Sequence, residues 1–125
     1  MDDVLVASAE GAQRVGFARG TVGGAPPLPP GVEVWCAPYA VAVLWPVPEG
    51  GDLAQADDEG VELLLAVLSK LEPPGVRLDG YLLLLTPAPN DLAAFRVESR
   101  TDVARRFVVA SVRDLRRVTF FPLPG

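Results

Sequence analysis

The apolar residues of the chain recur with two different periods, and each period predicts a different kind of element. Residues 32–48, VEVWCAPYAVAVLWPVP, are rich in β-branched and aromatic residues, and Pro38 interrupts them because proline has no N–H to donate to a ladder. This segment predicts two strands or one bent strand. Residues 81–85, YLLLL, form an uninterrupted apolar run, which is typical of a central strand buried on both faces. We therefore expect a strand over residues 79–86.

The segment between these strands follows a helical period. Leu64 and Leu68 repeat on one face of a helix that we predict at about residues 57–72, ending at the two prolines that follow. Asp57 or Asp58 is the predicted N-cap, since a carboxylate can accept from the unpaired N–H groups of the first turn. The apolar residues cover more of this helix than the single stripe that packing on one neighbour requires. The pattern therefore favours a helix that is packed on two sides or covered in part by a partner.

Shorter signals account for the rest of the chain. Residues 1–19 carry a weak pattern that fits a short helix or a strand, and residues 20–31, GTVGGAPPLPPG, predict a loop. Asn90 or Asp91 is placed to cap a short helical turn over residues 92–95. After this turn we expect strands in RVES and RRFVVAS, a helical turn in VRDLRR, and a last extended segment in VTFF.

These elements predict a single small α/β (α+β) domain over residues 1–125. Its sheet is expected to be mixed or antiparallel, with one main helix packed on it. We further expect the 81–85 strand to lie beneath that helix.

Composition limits the chemistry that such a domain can perform. Half of the residues are apolar, there is no histidine, and Cys36 and Lys70 are the single cysteine and the single lysine. Catalysis by Ser-His-Asp or Cys-His groups and His-ligated zinc are therefore excluded, and Lys70 does not stand in a phosphate-binding loop motif. We expect no cofactor and no metal. The acidic start of the chain and its short apolar runs predict a cytoplasmic protein with no signal peptide and no membrane contact.

One constellation could support a metal-dependent nuclease. Such enzymes hold magnesium with an acid on one strand and an acid on the next, and a nearby lysine assists the attacking water. Asp79 and Glu98 could supply the two acids, but Arg100 stands where the lysine is required, and an arginine stays protonated near pH 7. The alternative interpretation is therefore a nuclease-like fold that binds nucleic acid without catalysis.

The arginines are concentrated at one end of the chain. Residues 1–90 hold 12 acidic and 4 basic residues, a net charge of −8, whereas residues 91–125 hold 4 acidic and 7 basic residues, a net charge of +3. The seven arginines could neutralise phosphates, and the phenylalanines among them could stack on bases. An ordinary solvated face is a second alternative. A surface that binds a protein partner fits better than either, because the whole chain is acidic and the arginine fork suits carboxylates. The phenylalanines lie in apolar contexts typical of a core.

The C-terminal half resembles a known family through three segments. They are LDGYLLLLT at 78–86, FRVESRTDVARRFVV at 95–109 and RDLRRVTFFPLP at 113–124. Together with the upstream VWCAPYAVAVLW and the apolar helix, they are similar to the small middle components of three-part bacterial conflict systems built around an ABC/SMC-like ATPase, the Lamassu type among them. The likeness covers roughly residues 32–124. The basic doublet reads Arg-Arg here, where Arg-Lys is commoner, and Thr119 stands where proline is usual.

The resemblance implies a non-enzymatic subunit that bridges or regulates the ATPase and an effector in anti-phage or anti-plasmid defence. Nucleic acid would then be contacted through the complex.

The last residues of the sequence predict where the partner docks, because apolar side chains between prolines are costly to leave in water. In a strand, two adjacent arginines point to opposite faces, so at most one of the doublet faces the core, and it would need Glu98 or Asp102 as its partner. The predicted partner-binding residues are Arg105, Arg106, Arg113, Arg116, Arg117, Phe120, Phe121 and Leu123.

Overall fold

A mixed sheet of five strands organises the computed structural model, which describes residues 2–20, 27–71, 78–102 and 104–118 except for the side chains of Asp2, Arg116 and Arg117. The strands lie side by side in the order in which the chain forms them. They are β1 (Ala18–Arg19), β2 (Glu33–Ala37), β3 (Ala40–Pro46), β4 (Asp79–Leu85) and β5 (Arg105–Val109).

The direction of the strands decides where the helices lie. Strands β1, β2 and β3 form an antiparallel meander, whereas β3, β4 and β5 are parallel. Parallel neighbours require crossovers, and helices α2 (Leu53–Leu71) and α3 (Asp91–Glu98) form them. Each crossover places the next strand on the same side of the previous one, first β4 beside β3 and then β5 beside β4. A common handedness therefore places both helices on the same face of the sheet.

The second face of the sheet is covered as well. Helix α1 (Asp2–Arg14) and a 3₁₀ helix (Val112–Arg117) pack there, around a core cluster that includes Val4, Ala12 and Val118. The predicted α/β class and mixed sheet are confirmed. The sequence pattern had indicated only one main helix on the sheet, because α1, although as amphipathic as α2, is much less apolar and has alanine at many of its apolar positions.

Strand β4 contributes side chains to two core clusters, one on each face of the sheet. Leu82 and Leu84 point into the cluster beneath α2, and Leu83 and Leu85 point into the cluster beneath α1. All four leucines are buried, and β4 has a parallel neighbour on each side. The predicted interior strand at residues 79–86 and its position under the main helix are confirmed.

Helix α2 begins one turn earlier than the sequence indicated. Asp52 Oδ1 accepts from the N–H groups of Ala54 at 2.9 Å and of Gln55 at 3.2 Å, so Asp52 caps the helix. The predicted cap at Asp57 or Asp58 is wrong. The first turn, LAQA, has too few large apolar residues to extend the helical pattern, and Asp57 lies inside the helix with its side chain buried.

Helix α3 replaces a predicted strand. Asn90 caps it, its side chain accepting from Ala93 N–H at 3.0 Å, as expected. The helix then continues to Glu98 through RVES, because Val97 turns inward to the core beneath α2. The strand predicted in RVES is therefore wrong.

The helical turn predicted in VRDLRR is confirmed as the 3₁₀ helix. Residues 21–26 of the predicted loop and most of VTFF lie outside the described residues.

Close packing of α2 on β4 depends on one small residue. A Cβ atom added at Gly60 would lie 2.8 Å from Leu82 Cδ1 and 2.9 Å from Leu82 Cδ2. Leu82 is fully buried, so it has no empty space into which to move. Gly60 therefore sets the distance between the helix and the sheet.

We expect Gly60→Val to lower the free energy of unfolding by about 1–3 kcal/mol, because it overpacks the contact between α2 and Leu82. Urea unfolding followed by circular dichroism measures the change. Ala54→Val is the matched control, since Ala54 is exposed on the same helix and gives only the loss of helix propensity, under about 1 kcal/mol. Equal losses in the two variants would show that Gly60 does not set the helix–sheet distance.

Candidate functional site

A network of charged side chains lies between α2, the loop after α3, and β5. At its centre Arg106 Nε donates to Asp57 Oδ1 at 2.9 Å. The Asp57 side chain is 1% exposed and the Arg106 side chain 3% exposed, so the pair is removed from water. Arg106 Nη1 also donates to Asp102 Oδ1 at 3.0 Å and to the Ala104 carbonyl at 2.9 Å. The guanidinium is thus held by two carboxylates and a backbone oxygen.

Arg100 closes the network on its outer side. Its Nη1 donates to Asp57 Oδ2 at 2.9 Å and to Asp58 Oδ1 at 3.3 Å. Both oxygens of the buried Asp57 carboxylate therefore have a guanidinium partner. The hydrogen bond to Asp57 raises the pKa of Arg100 above its ordinary value, and hydrogen bonds from its own backbone and from Arg106 lower the pKa of Asp102. Each of these two shifts favours the charged form of its side chain.

The network changes the interpretation of the arginine doublet. Arg106 faces the core, and Asp102 is one of its partners, as the sequence indicated. Its main partner, however, is Asp57, which lies 49 residues away and was expected to cap a helix. Because the Arg106 side chain is buried, its guanidinium is not on a surface where a partner could dock. Arg106 is therefore withdrawn from the predicted docking residues.

Side chains also occupy the outer edge of β5, the last strand of the sheet in the described ranges. Glu98 Oε2 accepts from Val108 N–H at 3.0 Å, and Asp114 Oδ2 accepts from Ala110 N–H at 2.7 Å and Ser111 N–H at 3.1 Å. Arg106 covers the Ala104 carbonyl on the same strand edge. An exposed strand edge invites pairing with another chain, and these side chains block it.

The structure does not place the two acids of the nuclease hypothesis on neighbouring strands. Asp79 is exposed at the start of β4, whereas Glu98 ends a helix and holds the β5 backbone. Arg100 is engaged by Asp57 and Asp58. The arrangement that the hypothesis requires, with Asp79 and Glu98 on adjacent strands, is therefore not present. Among the described residues no group of three or more acidic or cysteine side chains could hold a metal ion.

Two shallow clefts adjoin at Arg105. One, of about 360 Å³, is lined by Asp79, Tyr81 and Thr101, and the other, of about 250 Å³, by Glu98 and Thr101. Burial, and then the nearby Asp79 carboxylate, raise the pKa of the Tyr81 hydroxyl, while Arg105 opposes them. Tyr81 is therefore protonated at neutral pH. The clefts are open to solvent and offer polar contacts to a partner side chain.

A third cleft, of about 280 Å³, lies where β4 ends and α2 and α3 begin. In parallel α/β sheets this is the usual side for ligands. The side chains of Asp52 and Asn90 already accept from N–H groups at the two helix starts. Because Asp52 also adds a negative charge there, the cleft does not have the character of an anion site.

The exposed side chains of the C-terminal part differ from the expectation at several positions. Arg105 and Arg113 are exposed, as the docking hypothesis requires, and Arg105 lies 5.7 Å from the centroid of the Phe107 ring. Phe107 is buried, whereas Phe95, expected in the core, is 70% exposed. The side chains of Arg116 and Arg117 and the whole of Phe120, Phe121 and Leu123 lie outside the described part of the structure.

Comparison of the chain with family models, with curated proteins and with solved structures gave no match. The described ranges contain no helix with the length and apolar character needed to cross a bilayer. The site is therefore interpreted from its own geometry.

Sequence reasoning missed Asp57, which the structure places at the centre of the network. One signal was available: with α2 starting at Leu53, Asp57 falls on the same helical face as Gly60 and Leu64, in the middle of the apolar side. An acid at such a position requires a cationic partner.

We expect Asp57→Asn to lower the free energy of unfolding by about 3–5 kcal/mol, because it leaves the buried Arg106 guanidinium with only the exposed Asp102 carboxylate as a compensating charge. Asp58→Asn, at an exposed side chain, is expected to cost less than about 1 kcal/mol. Chemical denaturation of both variants makes the comparison. The double variant Asp57→Leu with Arg106→Met should recover most of the loss, since it removes both charges. Similar costs for Asp57→Asn and Asp58→Asn would contradict the central role of Asp57.

We expect Glu98→Ala to lower the free energy of unfolding by about 1–3 kcal/mol, because Val108 N–H loses its acceptor at the strand edge. Glu98→Gln keeps an oxygen acceptor and should stay within about 1 kcal/mol of the unchanged protein. Thermal and urea unfolding distinguish the two variants. If both are as stable as the unchanged protein, Glu98 does not cap the edge and is free for another role.

Proposed function

We propose that this protein is a non-enzymatic adaptor or regulatory subunit that docks on a protein partner through the side chains at the outer edge of β5 and the 3₁₀ helix. The observation that supports the proposal is that side chains occupy the backbone N–H groups of that edge. Its N–H groups at Val108 and Ala110 are taken by Glu98 and Asp114, so a partner cannot join by adding a strand there. Recognition must then come from side chains, and Arg105 and Arg113 are exposed beside it.

The chemistry of this surface favours an acidic protein partner. Val112, next to Arg113, is half exposed and gives an apolar contact, while the arginine forks suit bidentate binding of carboxylates. Arginine with a small apolar contact is a common composition for the energetic centre of an interface. The predicted contacts at Arg116, Arg117, Phe120, Phe121 and Leu123 follow directly in the chain and would extend the same surface.

The resemblance of residues 32–124 to the middle components of three-part conflict systems supports a particular kind of partner. We infer that the partner is an ABC/SMC-like ATPase, that the complex includes an effector, and that it acts in the bacterial cytoplasm against phage or plasmid DNA. In this role the protein needs no catalytic residues of its own. Nucleic acid would be contacted through the assembled complex.

We expect Arg105→Glu with Arg113→Glu to lower the affinity for the ATPase about tenfold or more, because two charge-assisted contacts become repulsive. The protein is co-expressed with an ATPase and an effector encoded by adjacent genes, and the complex is isolated through a tag on the ATPase. Arg19→Glu is the control, since Arg19 is exposed on β1, at the opposite edge of the sheet from β5. Arg116→Glu with Arg117→Glu, and removal of residues 120–125, test the predicted extension of the surface.

Retention of the complex by all three docking variants, with each variant still folded, would overturn the proposal. A gel-shift measurement with double-stranded DNA uses the same variants. Loss of salt-dependent DNA binding without loss of the ATPase would assign the surface to nucleic acid instead.

A further inference from the structure

A buried hydroxyl borders the cleft at the end of β4 and has no hydrogen-bond partner among the described residues. Thr86 follows directly after β4, is 3% exposed, and lines the cleft of about 280 Å³ where α2 and α3 begin. Its N–H donates to the Val109 carbonyl, whereas its hydroxyl makes no bond within the described ranges. Thr86 Oγ1 is not sealed in the core as Ser8 Oγ is, so it opens into the cleft. Because buried hydroxyls are normally hydrogen-bonded, its partner must come from the cleft.

Asp52 and Asn90, which cap the two helices, each leave one polar atom free beside the same cleft. Asp52 Oδ1 accepts from two N–H groups of α2, and Asn90 Oδ1 accepts from Ala93 N–H at 3.0 Å, which fixes the orientation of the amide. No hydrogen bond between described residues uses Asp52 Oδ2 or Asn90 Nδ2. The first atom is an acceptor and the second is a donor. An acceptor, a donor and the Thr86 hydroxyl therefore border one space.

The charges around the cleft favour a ligand without net charge. The amino ends of α2 and α3 bring the positive ends of two helix dipoles to the cleft. The carboxylate of Asp52 brings a negative charge to the same place. The carboxylate repels an anion, and the two helix ends repel a cation. A neutral group that carries both a donor and an acceptor matches all of these features.

We propose that this cleft binds a small neutral molecule through an edge that carries a donor beside an acceptor, as a primary amide or the amino edge of a nucleobase does. Asp52 Oδ2 binds the donor of the ligand, Asn90 Nδ2 binds its acceptor, and the ligand satisfies the Thr86 hydroxyl. Leu53 and Ala93 also line the cleft and give apolar contact to the flat part of such a molecule. The site lies at the carboxyl end of parallel strands, where α/β sheets usually bind ligands, and it does not depend on the partner proposed above.

Titration of the isolated protein with two uncharged probes, nicotinamide and adenosine, tests the site by proton–nitrogen NMR. We expect saturable shifts of the backbone amide signals of Gly51, Thr86 and Asn90 with at least one probe, and the tighter probe tells an amide from a nucleobase. The control probes are the analogues of both in which methyl groups replace the amino hydrogens, and inorganic phosphate is the anionic control. The absence of a saturable shift with either probe overturns the proposal. So does an equal response to the methylated analogues or a stronger response to phosphate.

The Thr86 hydroxyl is tested by Thr86→Val, which keeps the shape of the side chain. We expect this variant to bind the probe about tenfold more weakly, because one hydrogen bond to the ligand is lost. The midpoint of its urea unfolding should not fall, since the hydroxyl has no partner in the described part of the chain. Thr101→Val is the matched control, because Thr101 is exposed and lines the two other clefts. Unchanged probe affinity in Thr86→Val, or a clear loss of stability, would show that the hydroxyl serves the fold.

Exchange of the two caps tests the pattern of donor and acceptor. Asp52→Asn and Asn90→Asp each keep an oxygen that caps the helix, but the first turns the free acceptor into a donor and the second turns the free donor into an acceptor. Each single variant should bind the tighter probe about tenfold more weakly. The double variant keeps the net charge and presents the pattern in reverse, so the probe can bind turned over and should recover most of its affinity. Losses that simply add in the double variant would rule out the proposed edge.

Discussion

The buried carboxylate of Asp57 is the interaction on which the arrangement of the C-terminal part depends. Its two oxygens bind Arg106 of β5 and Arg100 of the preceding loop, so a residue on α2 holds both ends of the segment that leads from α3 into the sheet. A buried charge is tolerated only when it is paired and fully hydrogen-bonded. This requirement fixes the side of β5 that faces α2 and the path of the loop between them.

The C-terminal arginines therefore serve two physical purposes. Arg100 and Arg106 are structural, since their charges are compensated within the chain. Arg96, Arg105 and Arg113 have exposed side chains and can contribute to recognition. The positive charge available to a partner is smaller than the number of arginines in this segment suggests. A smaller available charge favours a specific acidic protein surface over the long-range attraction needed to hold a polyanion.

The edges and faces of the sheet limit how another molecule can approach. Carboxylates of Glu98 and Asp114 occupy N–H groups along β5, which discourages strand addition and directs binding to side chains. Helices α2 and α3 expose large apolar residues on another surface. The two surfaces are formed by different elements.

The sequence by itself determined the class of the fold, the interior position of β4 and the existence of the main helix. Each of these follows from local periodicity, because an unbroken run such as YLLLL can be buried on both faces only in a strand with neighbours on each side. Asn90 as the cap of α3 and the helical turn in VRDLRR are also local, since a cap involves residues within one turn. The start of α2, the helical state of RVES and the roles of Asp57 and Glu98 were decided by tertiary structure. In each of these cases the deciding partner lies far away in the chain or on another element: Arg106 for Asp57, and the β5 backbone for Glu98. Periodicity carries information about which side of an element is buried, but not about which distant charge or backbone group it will meet.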